Sequence, residues 1–216
     1  MADRVVVSVG TKRGLFFLES SAKRDRWTVS GPHLKGWSVY HATVDARNGA
    51  RVHAAVSSEA FGTNTFSADL RARKFAGAKR PPVPPKLPPP ALKFARKWSI
   101  PVNPKVWHIE PARRYERGVL YAGTAPAGLF RSEDDGRTWE EIKSVTNHPS
   151  RKHWMPGAGG MCLHSIQLDP ANPNRMWIAI SAAGAFRTED GGRTWNPVNK
   201  AVAKYVGAPK KGETST

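Results

Sequence analysis

Residues 132–139 read Ser-Glu-Asp-Asp-Gly-Arg-Thr-Trp, and residues 188–195 read Thr-Glu-Asp-Gly-Gly-Arg-Thr-Trp. The octapeptide thus occurs twice. Each copy follows a similar apolar lead-in, Tyr-Ala-Gly-Thr-Ala-Pro-Ala-Gly-Leu-Phe-Arg at 121–131 and Trp-Ile-Ala-Ile-Ser-Ala-Ala-Gly-Ala-Phe-Arg at 177–187. A supersecondary unit repeated at this scale is the mark of a propeller or another repeat array, because one such unit cannot bury its apolar face alone. Worn copies precede the two good ones. Residues 8–17 parallel 121–130, and Ser20 and Trp27 keep the spacing of the first and last positions of the octapeptide. Residues 52–66 read as a strand pair, followed by Ser67-Ala-Asp69.

The pattern Ser/Thr-x-Asp-x-Gly-x-Thr-Trp resembles the Asp-box, or bacterial neuraminidase repeat, found in sialidases, sortilin-type receptors, xyloglucanases and a photosystem assembly factor. Its residues suit a hairpin turn. Asp134 and Asp190 can accept from turn backbone, as Asx residues do. Gly136 and Gly192 permit positive φ. Thr138 and Thr194 can bond the turn from the other side, Ser132 and Thr188 open it, and Trp139 and Trp195 bury a large ring between strands. These ten residues are assigned to structure rather than catalysis.

Short apolar runs bounded by Gly, Pro, Asn or Asp predict strands at 5–9, 15–18, 39–44, 51–56, 106–109, 119–122, 129–132, 165–168, 176–180 and 185–188. Only 90–98 suggests a helical turn or two. The expected fold is all-β: a partial β-propeller of about four blades, each a four-stranded antiparallel sheet. The expected organisation is an incomplete propeller over 1–207, interrupted by a Pro-rich basic insertion at 79–104, then a polar tail at 208–216. Light scattering with a thermal melt would show whether such blades stand alone.

The net charge is +17, and residues 70–105 hold ten Lys or Arg and no Asp or Glu. Within that stretch, 80–90 read Arg-Pro-Pro-Val-Pro-Pro-Lys-Leu-Pro-Pro-Pro, which predicts extended polyproline II. It is expected to be a solvated connector, removable without unfolding the blades; a basic arm for nucleic acid or another polyanion, or a Pro-rich ligand, is the alternative. The single cysteine, Cys162, forms no internal disulfide. No signal peptide or membrane span is legible, so a cytoplasmic location without membrane partners is the expectation.

The whole chain also resembles a group of bacterial proteins known as exo-alpha-sialidase-like, or Asp-box-repeat glycosyl hydrolases. The resemblance rests on residues 10–16, Gly36-Trp-Ser-Val-Tyr-His41, Val106-Trp-His-Ile-Glu110, 156–165 and 178–184. It implies further blades, so this chain is expected to be the N-terminal part of a longer propeller or a truncated paralogue, with a self-contained four-bladed ring as the alternative. It also implies a glycoside hydrolase. Against that, sialidases use an arginine triad, a Tyr–Glu pair and an aspartate, one arginine lying in an Arg-Ile-Pro motif that this chain lacks.

In such propellers, binding groups gather on the face opposite the boxes. Candidate ligand-binding residues are Tyr40, His41, Arg151, His153, Trp154 and His164. Trp154 can stack on a sugar, and Arg151 and His153 can bind an anion. A glycosidase needs two carboxyls, and that face offers Glu59 and Glu110, with His108 as a further catalytic candidate. His41, His108 and His164 stand near inner-strand starts, where three histidines can bind metal. Their registers differ, with His164 sharing a side with Ile166 and Leu168 as a packed core histidine would, so neither a metal nor a cofactor is assigned. The reading favoured is a scaffold for a carbohydrate or protein partner.

Overall fold

The structure is a computed structural model that describes residues 4–47, 49–181 and 183–199; the polar tail lies outside them. Fifteen strands among these residues form four antiparallel sheets in chain order. The first contains β1 (Arg4–Thr11), β2 (Gly14–Ser21) and β3 (Thr28–His33). The second runs β4 (Ser38–Asp45), β5 (Arg51–Ser58), β6 (Gly62–Asp69) and β7 (Ala76–Gly77). The third runs β8 (Lys105–Pro111), β9 (Leu120–Ala125), β10 (Leu129–Ser132) and β11 (Glu140–Glu141). The fourth runs β12 (Leu163–Leu168), β13 (Met176–Ile180), β14 (Gly184–Thr188) and β15 (Asn196–Pro197). Each sheet is an up-and-down meander packed on the next, and β4, β8 and β12 lie side by side as innermost strands. This is a partial β-propeller.

The first sheet departs from the expected four strands. Gly10 of β1 lies where a Cβ would come within 2.6 Å of the Val39 carbonyl, and Gly123 of β9 meets the Leu163 carbonyl of the next sheet in the same way. β1 therefore stands in the second position of its blade, and no strand among the described residues takes the innermost one. The small residue is needed because the next blade's innermost backbone passes at contact distance.

The two octapeptides fold alike. Asp134 accepts from Thr138 N (2.8 Å) and Thr138 Oγ1 (2.7 Å), and Gly136 N donates to Ser132 Oγ at 2.9 Å. Asp190 accepts from Thr194 N (2.9 Å) and Oγ1 (2.6 Å), and Gly192 N donates to Thr188 Oγ1 at 2.9 Å. Gly136 and Gly192 take positive φ, 79° and 91°. The tryptophans reach between sheets rather than only between strands. Trp139 Nε1 donates to Thr65 Oγ1 of the second sheet at 3.0 Å, and Trp195 Nε1 to Ser144 Oγ, which follows the third, at 3.1 Å. The worn first copy keeps part of this geometry without its aspartate: Arg24 has φ 55°, and Trp27 Nε1 donates to its carbonyl.

Arginines join the sheets at the same rim. Arg47 pairs with buried Asp45 and donates to the carbonyls of Arg113, Glu116 and Val119 in the third sheet's first turn. Arg113 repeats this one sheet on, donating to the carbonyls of Asp169, Asn172 and Arg175.

The Pro-rich stretch is packed, contrary to the expected solvated connector. Pro88 has φ −57° and ψ 148°, in the polyproline II region. Pro82 is buried, Leu87 packs on the core between sheets three and four, and helix α1 (Pro89–Lys97) buries Ala91 and Ala95 completely. A chain with few backbone donors can still be held by side-chain packing, and residues 81–97 form a strap across the blade ends.

Candidate functional site

The innermost strands carry one irregularity in common. The pairing register of β4 on β5 slips between Val39 and His41, that of β8 on β9 between Val106 and His108, and that of β12 on β13 between Leu163 and Ser165. The extra residues are Tyr40, Trp107 and His164. A β-bulge re-aims the residue it inserts and bends the strand, so these three positions are structural equivalents on neighbouring blades.

The equivalence changes the grouping of the histidines. His41 and His108 occupy the same register position, and their rings lie 4.3 Å apart. His164 instead matches Tyr40 and Trp107. It is exposed, with Nδ1 3.2 Å from Ser165 Oγ. The expected packed core histidine is thus corrected: simple alternation would align His164 with Ile166, but the bulge turns it out while Ile166 is buried. Among the described residues, no group of three or more His, Cys, Asp or Glu can hold a metal ion.

Tyr40 and Trp107 place their rings 5.4 Å apart at 31°, and Lys105 Nζ lies 5.0 Å from the Tyr40 centroid and 5.6 Å from that of Trp107. Directly beyond them, Ile109 N donates to His41 Nδ1 at 3.3 Å, and His108 Nε2 lies 3.3 Å from Glu110 Oε2. Burial, then the neighbouring His108, pushes His41 down to about 4, against the opposing pull of Glu110. Accepting a backbone N–H at Nδ1 fits the neutral ring with its proton on Nε2. The wall therefore offers an aromatic pair, one ammonium, a neutral imidazole and a single carboxylate engaged by a histidine.

The other candidates separate from this wall. Trp154 was expected to stack on a ligand, but it is buried beside His148 and Phe186, with Nε1 donating to Ser150 Oγ at 2.9 Å. Arg151 is buried too, donating to the Ala127 carbonyl at 2.9 Å. The apparent loop contains a 3₁₀ helix, Pro149–His153, which turns both side chains into the third and fourth sheets' core. His153 is exposed beside them, and Glu59 is exposed in the turn between β5 and β6. Cys162 is buried, and burial raises its thiol pKa. The sequence reading missed Trp107 and Lys105; Val-Trp-His at 106–108 against Val-Tyr-His at 39–41 was the available signal.

No family profile matches the chain. Among curated proteins, 85 residues are 29% identical to a probable oligoxyloglucan-reducing end-specific xyloglucanase of Neosartorya fischeri, covering 39% of this chain and 9% of that protein. A stretch of 88 residues is 25% identical to vacuolar protein sorting/targeting protein 10 of Colletotrichum graminicola, covering 41% of this chain and 5% of that one. Among solved structures, the GH74 xyloglucanase from Xanthomonas campestris superposes with a TM-score of 0.59 at 16% identity, over 89% of this chain and 27% of that one. YCF48 from Cyanidioschyzon merolae gives 0.54 at 11% identity, over 88% and 52%. These likenesses place the fold among β-propellers, and the chain spans a small part of the curated relatives' length.

Proposed function

We propose that this chain is a carbohydrate-binding segment of a glycoside-hydrolase-like Asp-box propeller, and that it binds rather than cleaves. The observation that carries the reading is the Tyr40–Trp107 pair, held on equivalent bulges of adjacent inner strands beneath Lys105. Aromatic rings present apolar faces while nearby polar groups fix orientation, which suits a sugar ring. Glycoside hydrolysis requires two carboxyl groups working together, and the wall has Glu110 alone. The xyloglucanase relatives make xyloglucan oligosaccharides the first probes. Titration followed by tryptophan fluorescence should give saturable binding that Tyr40→Ala and Trp107→Ala each abolish and Trp98→Ala leaves unchanged. Equal binding by all three variants would sink the reading.

A second reading, glycosidase activity of the sialidase or xyloglucanase type, is favoured by the xyloglucanase likeness. In it, Glu110 is one of the two carboxyls and further blades of a longer chain supply the other. Reducing-end release by this chain, lost in Glu110→Gln, would favour it over binding alone.

A further inference from the structure

The strap crosses the blade ends within the most basic stretch of the chain, residues 70–105 with their ten Lys or Arg and no Asp or Glu. Thr63 Oγ1, at the start of β6, donates to the Pro82 carbonyl at 3.4 Å, and Pro85 packs where a Cβ on Gly128 would come within 2.7 Å of its ring. Exposure along the strap follows the three-residue period of a polyproline II helix. Arg80, Val83, Lys86 and Pro89 are exposed, and the residues between them are half-buried or buried. Helix α1 continues the division: Ala91 and Ala95 face the interior, while Lys93, Phe94, Arg96 and Lys97, with Trp98 just after them, are exposed.

This outer side joins cations to large apolar groups. Val83 is 75% exposed and Trp98 61%. The Phe94 and Trp98 rings lie 6.3 Å apart, and Lys97 Nζ lies 5.4 Å from the Trp98 centroid. None of the ion pairs among the described residues involves residues 79–105. Residues 200–216 carry four Lys against one Glu, so the chain's own tail has the same sign of charge as the strap. Further sheets of a propeller stack on sheet faces, whereas the strap lies across the blade ends.

We infer that the outer side of the strap and α1 docks on a membrane surface rich in anionic lipid. Clustered Lys and Arg are drawn to the negative potential of such a surface, and exposed Trp and Phe beside them enter the headgroup boundary. The contact is peripheral, since nine residues of helix reach about 14 Å, less than half of a hydrocarbon core. It departs from the expectation of no membrane partner, which rested on the lack of a legible span. Single-stranded nucleic acid also pairs cations with aromatic rings, but it stacks its bases along a groove. Here the most exposed apolar group of the set is the aliphatic Val83, which gives a base no ring to stack on and suits an acyl boundary.

The test is co-sedimentation of the 216-residue chain with vesicles of phosphatidylcholine alone and of phosphatidylcholine with about one-third phosphatidylserine. Binding should favour the anionic vesicles by at least about tenfold. The double variant Lys93→Glu, Lys97→Glu should lose most of that preference. Arg114→Glu with Arg117→Glu makes the same change of net charge at two exposed positions in the turn before β9, across the strand from the β9–β10 turn that the strap crosses, and should bind nearly as wild type. Trp98→Ala should weaken binding several-fold at unchanged charge. Circular dichroism melts check that all variants fold. Equal loss in the two double variants overturns the inference, because net charge alone would then explain binding. No preference for anionic vesicles overturns it, as does full binding by Trp98→Ala. Binding of a single-stranded oligonucleotide that Trp98→Ala abolishes, without vesicle binding, also overturns it and gives the strap to nucleic acid.

Discussion

The Nη2 of Arg47 donates to the carbonyl oxygen of Val119, 2.9 Å away in the next sheet. The same guanidinium is bound to Asp45 at 2.7 Å, so one buried ion pair is bonded into the backbone of a neighbouring blade. Burial alone would raise the Asp45 carboxyl, but the hydrogen bonds and charge of Arg47 prevail and hold it below the ordinary carboxylate range. A depressed carboxylate contributes stability that is full above the unfolded-state value and is lost as pH falls through the folded one. Arg47→Met leaves Asp45 buried and unpaired, so it should cost about 3–5 kcal/mol near neutral pH. Urea unfolding at neutral pH and in acid checks this: the gap between wild type and variant should close in acid.

His53 sets a different pH dependence. It is completely buried, with Nδ1 2.8 Å from Ser67 Oγ, and burial lowers it to about 4, the nearby Asp45 charge opposing. The unfolded chain takes up the proton at about 6.5 while the folded protein does not. Stability from keeping His53 neutral is therefore present above about 6.5 and falls between there and about 4, on the order of 3 kcal/mol in all. His53→Asn should flatten that part of the stability–pH curve, as followed by denaturant melts.

Trp139→Ala and Trp195→Ala should each destabilise by about 3–5 kcal/mol, as truncations of large buried rings. Trp139→Phe should recover most of the packing and still lose the bond to Thr65 Oγ1, about 1 kcal/mol. Thermal melts decide: an unchanged midpoint in either alanine variant would contradict the junctions described.

The strap should behave as structure. Ala91→Asp places a charge at a position with no exposure in the core beneath α1, so a large fall in melting temperature is expected. Lys93→Asp, on the exposed side of α1, should leave the melt nearly unchanged. Equal midpoints in the two variants would return residues 81–97 to the role of a loose connector.

Much of this architecture is legible in the sequence because turn chemistry is local. Asp134 accepts from Thr138 and Gly136 donates to Ser132, so eight residues announce a hairpin wherever they stand. The meander follows from short apolar runs, and all the expected strands appear, 129–132 and 176–180 with the expected bounds and the others with shifted ends. What depends on distant chain is not legible. Trp139 against Thr65 and Arg47 against Val119 are contacts between blades. A proline-rich, basic composition reads as solvated, whereas helix α1 forms within it and packs Ala91 and Ala95 into the interior. The inner wall was half found. Tyr40, His41, His108 and Glu110 were named, but a bulge inserts one residue and breaks the alternation of two on which face assignment rests. That break misplaced His164 and hid Trp107, while Trp154 and Arg151 drew attention through composition and proved to be packing residues.

The most direct test of the binding wall is hydrogen–deuterium exchange of the intact chain with and without a saturating xyloglucan oligosaccharide. Slowed exchange confined to residues 38–45 and 105–111, absent in Trp107→Ala, is the predicted result. Slowing elsewhere only, at 147–164 or along the strap, would contradict the placement of the site.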